Sequence, residues 1–301
     1  MTGLLVTVNA SAGTADDDAV AAALAELRAG ADVEVVETSD ADELVTGIRA
    51  HPGRRLVAIG GDGSVHAAVR ALDRAGALDP ALPLGIIARG TGNDLAGSLG
   101  LPRDPVEGAR VVCRGRVRPL DLVRDDAGGI VVNAVHAGVG ARAGTLAMHV
   151  KPALGTASFP LGAVAAGVST PGAGLRVEVD GRVVTSGEWA ADGTTGVLMV
   201  AVCNGPTIAG GRPLAPDAAP DDGLADVVVV TATGPVARTA FGLALLRGDH
   251  LARADVTVTR GRTVSYSGPP VDVDADGEIT EDVPARTWTV HGHAWSVTVR
   301  D

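Results

Sequence analysis

The stretch Arg55 to Ala75, RLVAIGGDGSVHAAVRALDRA, decides the fold of the first part of the chain. Arg55 to Ile59 is a short apolar run and reads as a buried strand. Gly60-Gly61-Asp62-Gly63 interrupts it, and Ser64 to Ala75 reads as a helix. A strand that ends in glycines and opens a helix is the repeating unit of a parallel α/β sheet. The unit recurs on both sides. Upstream, Leu4 to Val8 is a strand closed by Asn9-Ala10-Ser11-Ala12-Gly13. Asp16 to Leu27 is a helix with an acidic start, Val33 to Val36 a strand, and Ala41 to Ala50 a helix with Asp40 as its cap. Downstream, Leu84 to Ile87 is a strand entering Gly90-Thr91-Gly92-Asn93-Asp94, and Asp94 to Leu99 is a helix. This alternation predicts a parallel sheet covered on both faces, with ligands beyond the carboxyl ends of its strands. The glycine-rich loops fall at those ends.

After about Arg118 the pattern changes. Val117–Val123, Ile130–Ala134, Leu175–Val179, Gly196–Cys203, Ala225–Val230, Asp255–Thr259, Thr263–Tyr266, Pro270–Val273, Trp288–Val290 and Trp295–Val299 all read as strands separated by turn residues. That predicts an antiparallel, β-sandwich-like domain. Ala141 to Ala173 and Pro235 to Arg247 read as helical insertions. The expected division is an α/β domain over 1–119 and a β-rich domain over 120–301.

The chain has 301 residues, 46% hydrophobic and 20% charged, which is far too apolar for a disordered protein and ample for a core. Its formal charge of -11 argues against general nucleic-acid binding. All but one of its 25 basic residues are arginine, the exception being Lys151, and no G-x-x-x-x-G-K-[ST] loop exists. Mechanisms that need a phosphate-loop lysine or a Schiff base are thereby excluded unless Lys151 serves them. Two distant cysteines, Cys113 and Cys203, make neither a disulfide framework nor a zinc site and suit a reducing cytoplasm. The N-terminus shows no basic signal region, and the apolar stretch around Phe159 to Val168 is too short to span a bilayer. Membrane contact is expected to be peripheral and transient. An exposed sheet edge would support a homodimer, though no residue argues for one.

The chemistry concentrates in a few places. In Gly60-Gly61-Asp62-Gly63-Ser64 the glycines let backbone N–H groups approach a phosphate, and the following helix N-terminus favours anions. An acid inside such a turn suits a cation, so Asp62 is a Mg²⁺ candidate. The plain structural alternative is a tight turn with Asp62 as a helix cap. Thr91, Asn93 and Asp94 repeat the arrangement one strand later, with capping as the alternative for the last two. Together the two turns suggest a nucleoside triphosphate with a metal. Asp276-Gly277-Glu278 follows a strand and reads first as a hairpin turn. Asn204 to Asp226 is a long polar loop, of a length that is usually functional, and its Asp221-Asp222-Gly223 suits a hard cation.

Taken together, IGGDGSVHAAV (Ile59–Val69) and GIIARGTGNDLAGSLGLP (Gly85–Pro102) resemble the diacylglycerol kinase catalytic domain family, the bacterial lipid kinase and sphingosine kinase group. GGDG is shared with NAD kinases and phosphofructokinases, whereas G-T-G-N-D followed by L-G-L-P is more specific. The resemblance continues through Pro119–Leu122, NAVHAGVGA (Asn133–Ala141), Asn204–Asp226 and Asp276–Glu278. It implies a phosphofructokinase/NAD-kinase-like first domain and ATP- and Mg²⁺-dependent phosphorylation of a lipid hydroxyl at a membrane surface, diacylglycerol first. By the same resemblance Asn9, Ala10, Ser11, Ala12 and Gly13, with Gly60, Gly61, Asp62, Gly63, Ser64, Val65 and His66, cradle the ATP phosphates. Thr91 contacts them and Thr38 lies near the nucleoside. Asp276 and Glu278 form the base region. A Mg²⁺ is held by Asp222 and the carbonyls of Ala219 and Leu224. The chain departs from the family pattern at Ala10 and Ala88, where proline is usual, at Ser64, where threonine is commoner, and at His66, where asparagine is usual. Two other readings compete: a kinase for a soluble acceptor of NAD or sugar type, and a non-catalytic nucleotide or lipid binder.

Overall fold

The computed structural model describes residues 3–9, 17–38, 40–138, 172–186, 196–232 and 234–301. The chain divides into two compact units, residues 1–122 with 292–301, and residues 123–291.

The first unit contains β1 (Leu4–Asn9), α1 (Asp17–Gly30), β2 (Val33–Thr38), α2 (Ala41–Ala50), β3 (Arg55–Gly60), α3 (Asp62–Ala75), β4 (Gly85–Ala88), α4 (Asp94–Ser98) and α5 (Pro105–Arg114). The four strands form the expected parallel sheet in the order β2-β1-β3-β4. One face is sealed by α1 and α5, where Val20, Ala23, Leu27, Ala109 and Val112 pack on Leu4, Val6, Val57, Ile59 and Ile87. Asp40 caps α2 by accepting from the Asp42 and Glu43 N–H groups, each at 2.9 Å. The sequence reading assigns no element between Leu99 and Val117, yet α5 lies there. Its local signals are present: Asp104 accepts from the Glu107 N–H at 2.8 Å, and Pro105 sits at the first helical turn. The C-terminal residues return to this unit, with Val297 bridged to Leu84. Arg55 Nη2 also donates to Thr298 Oγ1 at 2.6 Å.

Strands β5 (Arg116–Asp125), β6 (Ile130–Val131), β7 (Ala134–Gly138), β8 (Arg176–Val179), β9 (Arg182–Ser186), β10 (Met199–Cys203), β11 (Thr207–Ile208), β12 (Arg212–Pro213), β13 (Ala225–Val230), β14 (Val256–Gly261), β15 (Thr263–Ala275) and β16 (Glu278–Val299) follow, with α6 (Pro235–Arg247) before β14. The main sheet runs β14-β13-β10-β7-β15-β16-β5-β6, and β8 and β9 branch from β15. The pairs that fix its register are antiparallel, as expected. Strands β10 and β13 are buried along their whole length. Alternation explains this: Val200, Val202, Val227 and Val229 enter one core with Tyr266 and Trp288, while Met199, Ala201, Cys203, Val228 and Val230 enter another with Leu214 and Phe241 of α6. Both faces are covered, so the strands are apolar throughout.

Two long strands replace four short ones of the sequence reading. Gly268-Pro269-Pro270 looks like a break, but β15 continues through it with a register shift between Ser267 and Val271. Its first half pairs with β8 and its second with β7, so the prolines mark a corner rather than an end. The Ala141–Ala173 insertion lies outside the described residues up to 171.

Trp288 is 1% exposed and stacks on Tyr266 with ring centroids 5.7 Å apart. Its indole N–H has no hydrogen-bond partner among the described residues. Trp288→Ala is expected to cost about 3–5 kcal/mol, whereas Trp288→Phe costs much less because no hydrogen bond is lost. Thermal unfolding of the two variants, with equal losses as the contrary result, checks this.

Candidate active site

The carboxyl ends of the parallel strands line up. Asn9 pairs with Thr38, Val8 with Ile59, and Gly60 with Ala88. The loops expected to cradle phosphates therefore leave one edge of one sheet. Asn9 and Thr38 end their strands there; Ala10, Ser11, Ala12 and Gly13 lie outside the described residues.

The two glycine-rich turns are stitched together. The Arg89 N–H donates to the Gly60 carbonyl at 2.7 Å. A Cβ on Gly90 would sit 2.7 Å from the Gly61 Cα, and one on Gly61 would sit 3.2 Å from the Gly90 Cα. Only glycine at both positions lets the backbones approach this closely. Gly61 is the N-cap of α3 and offers it no side-chain hydrogen bond, so the cap residue itself supplies the first-turn N–H groups with no side-chain acceptor. Asn93 adopts a left-handed conformation with φ 55° and donates from Nδ2 to the Gly90 carbonyl at 2.6 Å. Its Oδ1 is buried with no partner among the described residues. Ser64 is half-buried, Gly63 and Thr91 are exposed, and Val65 and His66 are buried on α3. Those last two side chains lie on the packed face of the helix, Val65 in its first turn.

Asp62 does not cap its own helix; it caps another. Its Oδ1 accepts from the Leu95 N–H at 3.3 Å, in the first turn of α4. Burial raises its pKa, and the neighbouring charge of buried Asp94 pushes the same way, while the backbone N–H groups of Asp94, Leu95 and Asn93 oppose the shift. Two adjacent carboxylates held at a sheet edge form a hard-oxygen donor set that suits Mg²⁺ accompanied by phosphates.

In the second unit three distant segments meet around Asp276. This residue and Gly277 have φ of 51° and 94°, a primed hairpin turn between β15 and β16. The Asp276 carboxylate accepts from the N–H groups of Val132 at 2.6 Å, Asn133 at 3.0 Å and Ala134 at 2.9 Å. Its own N–H donates to the Ala134 carbonyl at 3.0 Å. The Asn133 carbonyl accepts from Asn204 and Gly205, and Asn204 Nδ2 donates to the Val132 carbonyl at 2.8 Å. Glu278, two residues on, is exposed. Sequence reasoning assigns no role to Asn133 or Asn204; their presence in two of the recognised blocks is the only signal.

The loop expected to hold a second cation looks different. Asp222 Oδ1 accepts from the Leu224 N–H at 3.0 Å, and Oδ2 is taken by Arg260, which also bonds Asp226 at 3.1 Å. Ala219 is half-buried. A guanidinium already occupies the carboxylate, so these residues as arranged do not fit a divalent cation. No cluster of three or more His, Cys, Asp or Glu side chains among the described residues is placed to hold a metal. Cys203, opposite Asp226, has its thiol pushed up to about 12, first by burial and then by that carboxylate, which excludes it as a nucleophile at neutral pH.

The diacylglycerol kinase catalytic domain family matches residues 3–124, and the YegS C-terminal NAD kinase beta sandwich-like domain matches residues 133–299. A "probable lipid kinase YegS-like" protein of Stenotrophomonas maltophilia is 29% identical over 249 residues, covering 80% of this chain and 78% of its own. A diacylglycerol kinase of Bacillus subtilis is 27% identical over 244 residues, covering 79% and 75%. The crystal structure of a diacylglycerol kinase from Bacillus anthracis superposes with a TM-score of 0.72 over 99% of this chain and 97% of that one, at 20% identity, a likeness of fold.

Asp62 generates a prediction. A carboxylate whose folded pKa is raised contributes stability fully present below the ordinary aspartate range and lost as pH rises through the folded value. Asp62→Asn keeps an acceptor for Leu95 and removes the charge. It should unfold at a higher temperature than the parent at neutral pH, with the difference closing as pH falls toward about 4. A lower melting temperature at neutral pH would contradict this.

Proposed function

This chain belongs to the diacylglycerol kinase catalytic domain family, and from that premise we propose that it is an ATP- and Mg²⁺-dependent lipid kinase with diacylglycerol as its first acceptor. One observation carries the reading: the two glycine-rich turns form a single surface, joined at Gly61 and Gly90 and bearing the acid pair Asp62 and Asp94. Backbone N–H groups at the start of α3 receive phosphate oxygens that lysine would hold elsewhere. Asn9, Thr38, Thr91 and Asn93 orient the nucleotide around that surface, together with the Ala10–Gly13 loop. Asp62 and Asp94 would hold Mg²⁺, which supplies neutralisation of charge on the transferring phosphoryl group.

In the transfer, the acceptor hydroxyl loses its proton, its oxygen bonds the γ-phosphorus, and the bond from that phosphorus to the β–γ bridging oxygen breaks to leave ADP. We assign the proton to Glu278 rather than Asp276. The three N–H groups that Asp276 accepts engage both its oxygens, which makes it the anchor of the hairpin. Glu278 is exposed on the same hairpin, where an acceptor hydroxyl can approach its carboxylate from solvent. No helix among the described residues is long and apolar enough to cross a membrane. Contact with the lipid surface in this reading is peripheral.

The test is transfer of labelled γ-phosphate from ATP with Mg²⁺ into mixed micelles carrying diacylglycerol, ceramide or sphingosine in separate tubes. Labelled phosphatidic acid is the expected product. Label that enters only a soluble acceptor such as NAD, or no acceptor, would overturn the reading. Glu278→Gln should lower kcat by roughly 10²–10⁴-fold with an unchanged melting temperature. Asp276→Ala should lower the melting temperature itself, because three part-buried N–H groups lose their acceptor. Full activity in Glu278→Gln would return the base role to another group.

A further inference from the structure

We propose that Arg260 is the resident cation of the Asp222–Asp226 turn: its guanidinium holds the carboxylates that a divalent ion would otherwise gather, so the turn forms without metal. Strand pairing puts it there. Arg260 lies opposite Asp226 in the β13–β14 register, and cross-strand partners share a face of the sheet. From that position Nε bonds Asp226 Oδ2 at 3.1 Å while Nη2 bonds Asp222 Oδ2. One planar fork thus ties the start of β13 to the loop before it, a geometry that lysine's point charge would not reproduce.

The partners need that charge. Asp226 is 4% exposed, and a buried carboxylate is retained only when paired. Burial raises its pKa, the charges of Asp222 and Asp217 push the same way, and Arg260 opposes the rise without cancelling it. The remaining oxygen of Asp222 closes the turn on itself through the Leu224 N–H. A second guanidinium stands close by: the position of a Cβ on Gly223 is 3.6 Å from Arg262 Nη2. A dication bound to Asp222 would face arginine charge that cannot be removed by deprotonation. The inference rests on Asp222, Asp226 and Arg260 alone and stands whether or not the kinase reading does.

The experiment is thermal unfolding of the full chain without nucleotide, in EDTA and in millimolar Mg²⁺. The parent is expected to melt at the same temperature in both. Arg260→Gln is expected to melt about 5 °C lower in EDTA, because Asp226 is left buried without its cation. A parent melting temperature that rises saturably with Mg²⁺, and stops doing so in Asp222→Asn, would overturn the proposal. A rise that persists in Asp222→Asn comes from another site and upholds it. Unchanged melting of Arg260→Gln would also overturn it. If Arg260→Gln does not fold, Arg260→Lys decides: melting that Mg²⁺ leaves unmoved supports a resident cation, and a Mg²⁺-dependent rise refutes it.

Discussion

Everything in the first unit that bears on phosphate depends on two backbones meeting without side chains. Gly61 and Gly90 belong to turns after different strands, and a single methyl group on Gly90 would lie 2.7 Å from the Gly61 Cα. The parallel register brings Gly60 and Ala88 abreast, so the chains must leave the sheet side by side. With glycine at the contact, the carbonyl of Gly60 reaches the Arg89 N–H and the carboxylate of Asp62 reaches the first turn of α4. The two turns then act as one rigid surface, which is what positioning a phosphoryl group requires.

The second unit solves a different problem by a similar device. The β15–β16 hairpin must be held to the β6–β7 connection, more than 140 residues earlier in the chain. A local turn signal cannot do this. Asp276 does it with one carboxylate spread over three consecutive N–H groups, and Asn133 and Asn204 extend the brace to the loop after β10. Fixing the hairpin in this way fixes the direction in which Glu278 leaves it.

These cases explain what was legible in the sequence. The α/β unit was readable because its instructions are local: apolar runs give strands, glycines end them, and Asp40 starts a helix; the same kind of signal stands at Asp104, where the sequence reading assigns no element. The family blocks were readable as words, but not as sentences. Asp276-Gly277 reads as a turn, which it is, while its three long-range hydrogen bonds leave no local mark. Asp62 reads as a possible cap for its own helix, whereas it caps α4 across the junction. Prolines 269 and 270 read as a strand end because the sheet corner that accommodates them is a tertiary feature. Arg260 carried no signal at all: one arginine among many becomes specific only when pairing sets it against Asp226.

The same contrast separates the two acid clusters by purpose. Around Asp226 one arginine bridges two carboxylates within the fold, and the result is a closed turn. Around Asp62 the fold does the opposite. It brings a second carboxylate alongside and half-buries the first, and burial and that neighbouring charge raise the Asp62 pKa; burial raises that of Asp226 too, but there Arg260 opposes the shift. A folded protein tolerates such a conflict where a ligand relieves it. The cluster bridged by arginine is closed on itself, whereas Asp62 and Asp94 lie within the glycine-rich turns. The group that stands beside the acids, rather than their number, separates the turn that an arginine closes from the one proposed for a cation and its phosphates.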